Sequence, residues 1–218
     1  MTHRRRPGPR TDLDVRTALL DAAEDLFSRE GVDNVSLRAV ARAVPVAPGA
    51  LNHYFSSKDA LVAEVVRRRG DEFAAQTRAG LSKLVDVEHP VLEDLVRAIL
   101  DPYVAVVSRE PVGGLRWVKM FTALAMRQHP IWVSMVEEEP HLGDLVDAIL
   151  ARAVPDLTPG VLRARAAIAV FSVVTGVAQA DLPAYGAQVG PDGLNAAFVD
   201  ELVAFAVAGL SRPPGPTA

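Results

Sequence analysis

The sequence predicts an all-α protein of about nine helices, in which a three-helix N-terminal unit precedes a larger helical region. Apolar residues recur along most of the chain at the three- and four-residue spacing of a helix face, and glycines and prolines divide that pattern into segments. Runs that alternate apolar and polar residues between turns, as strands do, are not evident. The chain has 218 residues, of which 50% are hydrophobic, so it is long enough to bury a core in one or two domains.

Composition excludes several classes of protein. The chain has no cysteine, so a disulfide framework, a thiolate metal site and a cysteine nucleophile are impossible. No apolar run of signal-peptide type follows the basic start, and we expect a cytoplasmic protein without a membrane partner.

Charge is distributed unevenly along the chain. The net charge is −4, but four arginines precede the first acid, Asp12: Arg4, Arg5, Arg6 and Arg10. We therefore predict a flexible basic arm over residues 1–10, which serves either as a DNA-binding arm or as a solubilising tail.

The first two helices follow from apolar spacing and capping residues. A first helix presents one apolar face and ends at Gly31, because glycine enters the left-handed conformation cheaply. Ser36 stands where a helix N-cap belongs, and Pro45 forbids continuation, so the second helix has only about two turns. The apolar residues of the first helix are Val15, Ala18, Leu19, Ala22, Ala23, Leu26 and Phe27.

The third and fourth helices begin at a proline and at a capping serine. Pro48 suits the first turn of a short third helix that runs to Phe55, and Ser57 caps a fourth helix that continues to about Gly80. Later helices are predicted at residues 91–109, 114–128, 130–153, 159–181 and 193–211. We divide the chain into residues 11–60, residues 61–212 and a proline-rich tail at 213–218.

Two short helices behind a longer supporting helix form the layout that lets the second short helix enter a DNA major groove. Asn52 has the groups to bind adenine with two hydrogen bonds, and Arg38 has those to bind guanine. Small residues at the start of the third helix permit close approach to base edges: Ala47, Pro48, Gly49 and Ala50. The alternative is a helical subdomain that does not bind DNA.

The run SLRAVARAVPVAPGALNHYFSSKDAL resembles the DNA-binding domain of the TetR (tetracycline repressor) family of bacterial regulators. The preceding LLDAAEDLFSREG is similar to that family's first helix, and the close resemblance covers residues 13–62. It implies phosphate contacts from Ser36, His53, Tyr54 and Lys58, and base contacts from Arg38, Pro48, Ala50 and Asn52.

The resemblance also implies a mode of action. A homodimer binds a palindromic operator in double-stranded DNA and leaves it when a small-molecule effector binds. Such a protein works in the cytoplasm on the nucleoid, without enzymatic activity and without a cofactor.

Three positions depart from the family pattern. Pro45 stands where a turn glycine is usual, and because proline cannot adopt a positive φ the angle between the two helices must be reached differently. Ala47 replaces a capping serine or threonine, which forfeits about 0.5–2 kcal/mol of helix stability. Asn52 replaces the usual tyrosine, so we expect an aromatic phosphate contact to be lost and a base contact to be gained.

The region 61–212 is similar to the family's ligand-binding and dimerisation region in size and helical pattern. An aromatic and methionine-rich set predicts a largely apolar effector site, with ordinary core packing as the alternative: Trp117, Met120, Phe121, Met126, His129, Trp132 and Phe171. The helices near 159–181 and 193–211 are rich in small and apolar residues, including Val173 and Phe198. This composition suits a four-helix dimer interface, with burial inside the monomer as the alternative.

A metal-dependent helical enzyme is the remaining alternative. Its clustered candidate ligands are His129, Glu137, Glu138, Glu139 and His141. Pro140 interrupts any helix that would align them, and no second carboxylate–histidine set occurs on another helix. We therefore expect no metal site and no catalytic residue. A helical interaction bundle with impaired DNA binding is the third possibility, if Pro45 disables the N-terminal unit.

Overall fold

The computed structural model describes residues 12–46, 49–138 and 141–213. Within these ranges the chain forms ten α-helices, which confirms the all-α prediction. They are α1 (Asp12–Glu30), α2 (Leu37–Ala43), α3 (Ala50–Tyr54), α4 (Lys58–Ser82), α5 (Leu92–Arg109), α6 (Pro111–Met126), α7 (Pro130–Glu138), α8 (His141–Ala153), α9 (Pro159–Ala178) and α10 (Ala196–Ser211). Two 3-10 turns lie at Val32–Asn34 and Pro183–Tyr185.

The end of α1 and the starts of α2 and α4 lie at the predicted residues, whereas α3 begins at Ala50, two residues after its predicted start. Gly31 has a φ of 82° and follows α1 directly. The Ser36 hydroxyl oxygen accepts a hydrogen bond from the Ala39 amide at 3.2 Å, and the Ser57 oxygen accepts one from the Ala60 amide at 3.0 Å. Both serines therefore cap their helices as the sequence predicted.

Helix α4 joins the N-terminal unit to the rest of the chain. It continues without interruption across the predicted domain boundary at residue 60. Its residues Leu61, Val62 and Val65 are fully buried, in a core cluster that extends from α1 to α10. A movement of α4 would therefore change side-chain packing on both sides of that boundary.

The predicted break at residues 111–114 is wrong, because α6 begins at Pro111 and contains both following glycines. Proline is tolerated in the first turn of a helix, where its missing amide has no intrahelical partner. A Cβ atom on Gly114 would lie 2.9 Å from the Cα atom of Val107 in α5. This glycine thus allows α5 and α6 to approach closely.

Two further predictions need correction. The predicted helix at 130–153 is two helices, α7 and α8, which lie on either side of residues 139–140. The chain also contains a short antiparallel hairpin that pairs β1 (Val189–Gly190) with β2 (Gly193–Leu194). Strands of two residues are too short to show an alternating pattern in the sequence.

Two arginines hold the ends of helices through backbone carbonyls. Arg152 of α8 donates to the carbonyl oxygens of residues 84, 85 and 87, just after α4, at 2.7–3.2 Å. Arg165 of α9 donates to the carbonyls of Leu210, Arg212 and Pro213 at the end of α10. These contacts satisfy acceptors that a helix end leaves without partners.

Candidate nucleic-acid interface

The turn between α2 and α3 has a proline, not a glycine, at position 45. Val44 is extended (φ −119°, ψ 134°), the conformation favoured before proline, and this ends α2. Gly49 then adopts a left-handed conformation (φ 88°, ψ −10°) directly before α3. Among the described residues of this turn, Gly49 is therefore the left-handed one. The candidate residues Ala47 and Pro48 lie outside the described residues, as does the side chain of Ala50.

Helix α3 has one buried and one exposed side. Leu51 and Phe55 are 3% and 4% exposed and attach the helix to the core. Asn52 and His53, which follow Leu51, are exposed, and Tyr54 is half-buried with its ring in edge contact with His53. The two polar side chains thus lie at the surface, where they can meet a nucleic acid.

Helix α2 contributes two exposed arginines. Arg38, which the sequence predicted, is exposed, and Arg42 is exposed one turn later. Sequence reasoning missed Arg42, although a spacing of four residues on a helix places both on one face. Ser36 is also exposed, and because its oxygen accepts the capping bond, its O–H group remains able to donate to a phosphate.

Lys58, the predicted phosphate ligand at the start of α4, is half-buried. Its Nζ atom donates to the backbone carbonyl of Asp33 at 3.0 Å. Asp33 lies in the 3-10 turn that follows α1. The ammonium group is therefore held in place by backbone before any DNA is present.

Ion pairs line the contact between α1 and the body of the protein. Glu24 of α1 is only 3% exposed and lies 3.5 Å from Arg69 of α4, which also pairs with Glu110 at 2.6 Å. Burial raises the pKa of the Glu24 carboxyl, although Arg69 opposes this shift. Asp25 pairs with Arg116 of α6 at 2.9 Å. Two acids of α1 are therefore paired with arginines of α4 and α6.

Three residues of the predicted effector set are part of the core. Trp117 and Met120 are 0% and 1% exposed, and the Trp117 ring stacks on Phe121 with centroids 4.5 Å apart. The indole N–H donates to the carbonyls of Val65 and Val66 at 3.1 Å, which ties α6 to α4. Close packing of this kind is what the core alternative predicted.

The other members of that set do not gather around these rings. Trp132 of α7 is half-buried, with its ring in a T-shaped contact with Phe121, and His129 borders an open groove between α4 and α7. Met126 is 58% exposed, and Phe171 is exposed on α9. The seven residues therefore do not line one cavity.

Helices α9 and α10 expose an apolar face, defined by Ile168, Phe171 and Phe205. Their exposed fractions are 66%, 43% and 66%. The two helices pack closely, since a Cβ atom on Gly176 would lie 2.7 Å from Leu202. Helix α9 is long and apolar enough to span a membrane, but core helices of water-soluble proteins meet the same criteria. In this structure 39% of that segment is buried.

No group of three or more histidine, aspartate or glutamate side chains is arranged to hold a metal ion among the residues that the structure describes. Of the five candidate ligands, Glu139 lies outside those residues, as do the side chains of Glu138 and His141. His129 is engaged with the backbone, since its Nδ1 atom accepts from the Ile131 amide at 3.3 Å.

Two family models match this chain. Residues 19–65 match the model described as bacterial regulatory proteins, tetR family. Residues 97–209 match the model described as tetracyclin repressor-like, C-terminal domain. The first covers α2, α3 and the capped start of α4, and the second covers the exposed apolar face of α9 and α10.

Curated relatives and a solved structure are similar to the chain. The HTH-type transcriptional regulator UidR of Escherichia coli strain K12 is 30% identical over 77 residues, which are 35% of this chain and 39% of UidR. The HTH-type transcriptional repressor Rv3405c of Mycobacterium tuberculosis is 28% identical over 153 residues, 70% of this chain and 68% of the relative. A TetR-like transcriptional regulator from Rhodococcus sp. RHA1 shares the fold, with a TM-score of 0.59, 22% identity, and coverage of 94% and 98%.

Proposed function

The chain belongs to the TetR family of bacterial transcriptional regulators, and we propose that it is a dimeric repressor that leaves a palindromic operator when a small molecule binds. Regulation of transcription through DNA is the activity of this family. The operator, the effector and the dimer are the parts of the proposal that concern this chain in particular. We place its work in the cytoplasm, on the nucleoid.

The observation that carries the proposal is the surface formed by α2 and α3. Arg38 and Arg42 on α2 and Asn52 and His53 on α3 are all exposed. Within the described residues neither arginine forms an ion pair, whereas the arginines at the α1 contact do. Cationic groups left without partners beside an exposed recognition helix suit a phosphate backbone, and the Asn52 amide suits an adenine edge.

A dimer is supported by the apolar face of α9 and α10. Ile168, Phe171 and Phe205 line one surface cleft, and a contiguous exposed apolar patch, unlike single scattered residues, is typical of an interaction surface. A two-fold axis would cover the patch on both copies at once and would set the two α3 helices at a fixed separation. A palindromic operator follows from that symmetry.

For the effector we propose a largely apolar molecule in the groove between α4 and α7. Val66, Ile131 and Met135 supply apolar contacts there, and His129 and Asp71 supply polar ones. The groove borders α4, which also carries the DNA-binding unit. A bound molecule that favours another position of α4 would change the separation of the α3 helices, and operator DNA would reciprocally lower the effector affinity.

The test is a titration of fluorescent duplexes from the DNA beside the gene with the full chain. Nanomolar binding to one segment, with much weaker binding to scrambled DNA, is expected at physiological salt. Deletion of residues 2–10 tests the arm, and should weaken binding to both duplexes and flatten the salt dependence. Equal affinity for operator and scrambled DNA would contradict the proposal.

A further inference from the structure

The turn at residues 32–34 connects the DNA-binding unit to the body of the protein through Asp33. The backbone carbonyl of Asp33 accepts the hydrogen bond from Lys58 at 3.0 Å. Its carboxylate, on a side chain that is 62% exposed, faces the corner between α6 and α7. Oδ2 lies 3.5 Å from Arg127 Nη1, and Oδ1 lies 3.9 Å from His129 Nε2. One residue thus contacts both a predicted phosphate ligand and the body.

The corner that faces Asp33 is held firmly by backbone bonds. The Arg127 amide donates to the carbonyl of Ala123 at 3.1 Å, and the His129 amide donates to that of Leu124 at 3.0 Å. Gln128 between them has a φ of 51°, an uncommon value for a residue with a side chain. The corner therefore has little freedom to shift without moving α6 or α7.

The orientation of His129 is fixed by its second ring nitrogen. Nδ1 accepts a hydrogen bond from the Ile131 amide at 3.3 Å, so the Nε2 atom is the one left to face Asp33. The side chain of His129 is 15% exposed. It borders the groove between α4 and α7, and Asp59, the neighbour of Lys58, borders the same groove.

We propose that Asp33 is a positioning residue for DNA binding, because it transmits the position of the α6–α7 corner to the ammonium group of Lys58. The inference rests on the proposed function, since it takes Lys58 to be a phosphate ligand. With the carboxylate facing Arg127 and His129, the turn presents its carbonyl to Lys58 and keeps the ammonium group ordered. When the corner moves away, the turn is released and Lys58 loses its fixed place.

A double-mutant cycle tests the proposal with the full-length dimer and its operator duplex. Asp33→Asn keeps the backbone carbonyl but removes the carboxylate charge, and Lys58→Met removes the ammonium group. Asp33→Asn should weaken operator binding roughly 3- to 10-fold when Lys58 is present and less than about 2-fold in the Lys58→Met background. A residue that only stabilises the fold would have the same effect in both backgrounds.

Two further variants complete the experiment. Arg127→Gln breaks the same contact from the body, so it should reproduce the loss and add little to Asp33→Asn. Asp25→Asn is the matched control, because it removes the ion pair with Arg116 of α6, together with the pair to Arg29 inside α1, but is expected to act equally with and without Lys58. If the wild-type chain binds the operator but the effects of Asp33→Asn and Lys58→Met are additive, this inference is overturned and the proposed function stands. Failure of the wild-type chain to bind any DNA overturns the proposed function with it.

Discussion

Replacing Phe205 with arginine should dissociate the dimer. Phe205 is 66% exposed, which for a phenylalanine is roughly 130 Å². At about 25 cal/mol per Å², covering that surface contributes about 3 kcal/mol per protomer, and the two-fold axis counts it twice. Only part of a free energy estimated from buried area appears as binding affinity. Loss of even half of the ~6 kcal/mol would raise the dimer dissociation constant about 100-fold.

The charge adds to this effect. Arg165 and Arg212 border the same cleft as Phe205, so an arginine introduced in that cleft meets like charges as well as losing the apolar contact. The assay is sedimentation velocity with light scattering over a micromolar concentration range. The wild-type chain should have twice the mass of its 23.3 kDa monomer, and Phe205→Arg should have the monomer mass.

Val112→Arg is the matched control for surface exposure. Val112 is 65% exposed, nearly the same fraction as Phe205, but it lies at the start of α6. This variant should remain dimeric. If Phe205→Arg and Ile168→Arg were both as dimeric as Val112→Arg, the assignment of the interface to α9 and α10 would be refuted.

Three further predictions concern packing, protonation and sequence reading. Gly114→Ala should lower the free energy of unfolding, measured in urea, by about 1–3 kcal/mol, because the new Cβ atom collides with α5. Gly143→Ala, which has open space around it, should raise the free energy of unfolding by about 0.4–1 kcal/mol. Burial raises the pKa of Glu24 in the folded state, so the folded protein binds the proton more tightly. The wild-type free energy of unfolding should then fall, relative to Glu24→Gln, as pH rises from the ordinary glutamate range through the raised value; a constant difference would contradict this. Asn52→Ala should reduce discrimination between operator and scrambled DNA by about 1–3 kcal/mol. Arg42→Ala should weaken binding to the two kinds of DNA equally and reduce the salt slope by about one. The two effects exchanged between the variants would contradict the proposed roles.

Local chemistry made the N-terminal elements predictable. Ser36, Ser57 and Gly31 each act through backbone groups within four residues, so their effects can be inferred from the sequence. The break expected at residues 111–114 failed for a different reason. Gly114 there allows close contact between α5 and α6, and such tertiary contact overrides the local preference of glycine for turns.

Choosing residues for the effector site and the interface required tertiary structure. Aromatic and methionine residues at helical spacing have the same pattern whether they line a cavity or fill a core, and Trp117 fills the core. Val173 was expected at the dimer interface, but it is 2% exposed, while Phe198 is half-buried beside Tyr185. An apolar helix has several apolar faces, and only packing decides which one remains exposed. Asp33 carries no sequence signal for its contacts, because Lys58 and Arg127 are distant along the chain.

Selection of duplexes from a randomised DNA library by the purified full-length chain tests most directly whether it is a sequence-reading DNA-binding dimer. The enriched sequences should contain a palindrome whose half-sites lie about one helical turn apart or a multiple of that distance. Selection with Phe205→Arg should not enrich this palindrome, and selection with Asn52→Ala should enrich it with weaker preference for individual bases. The proposed function would be contradicted if no sequence were enriched. It would also be contradicted if a single half-site were enriched equally well by the wild type and by Phe205→Arg.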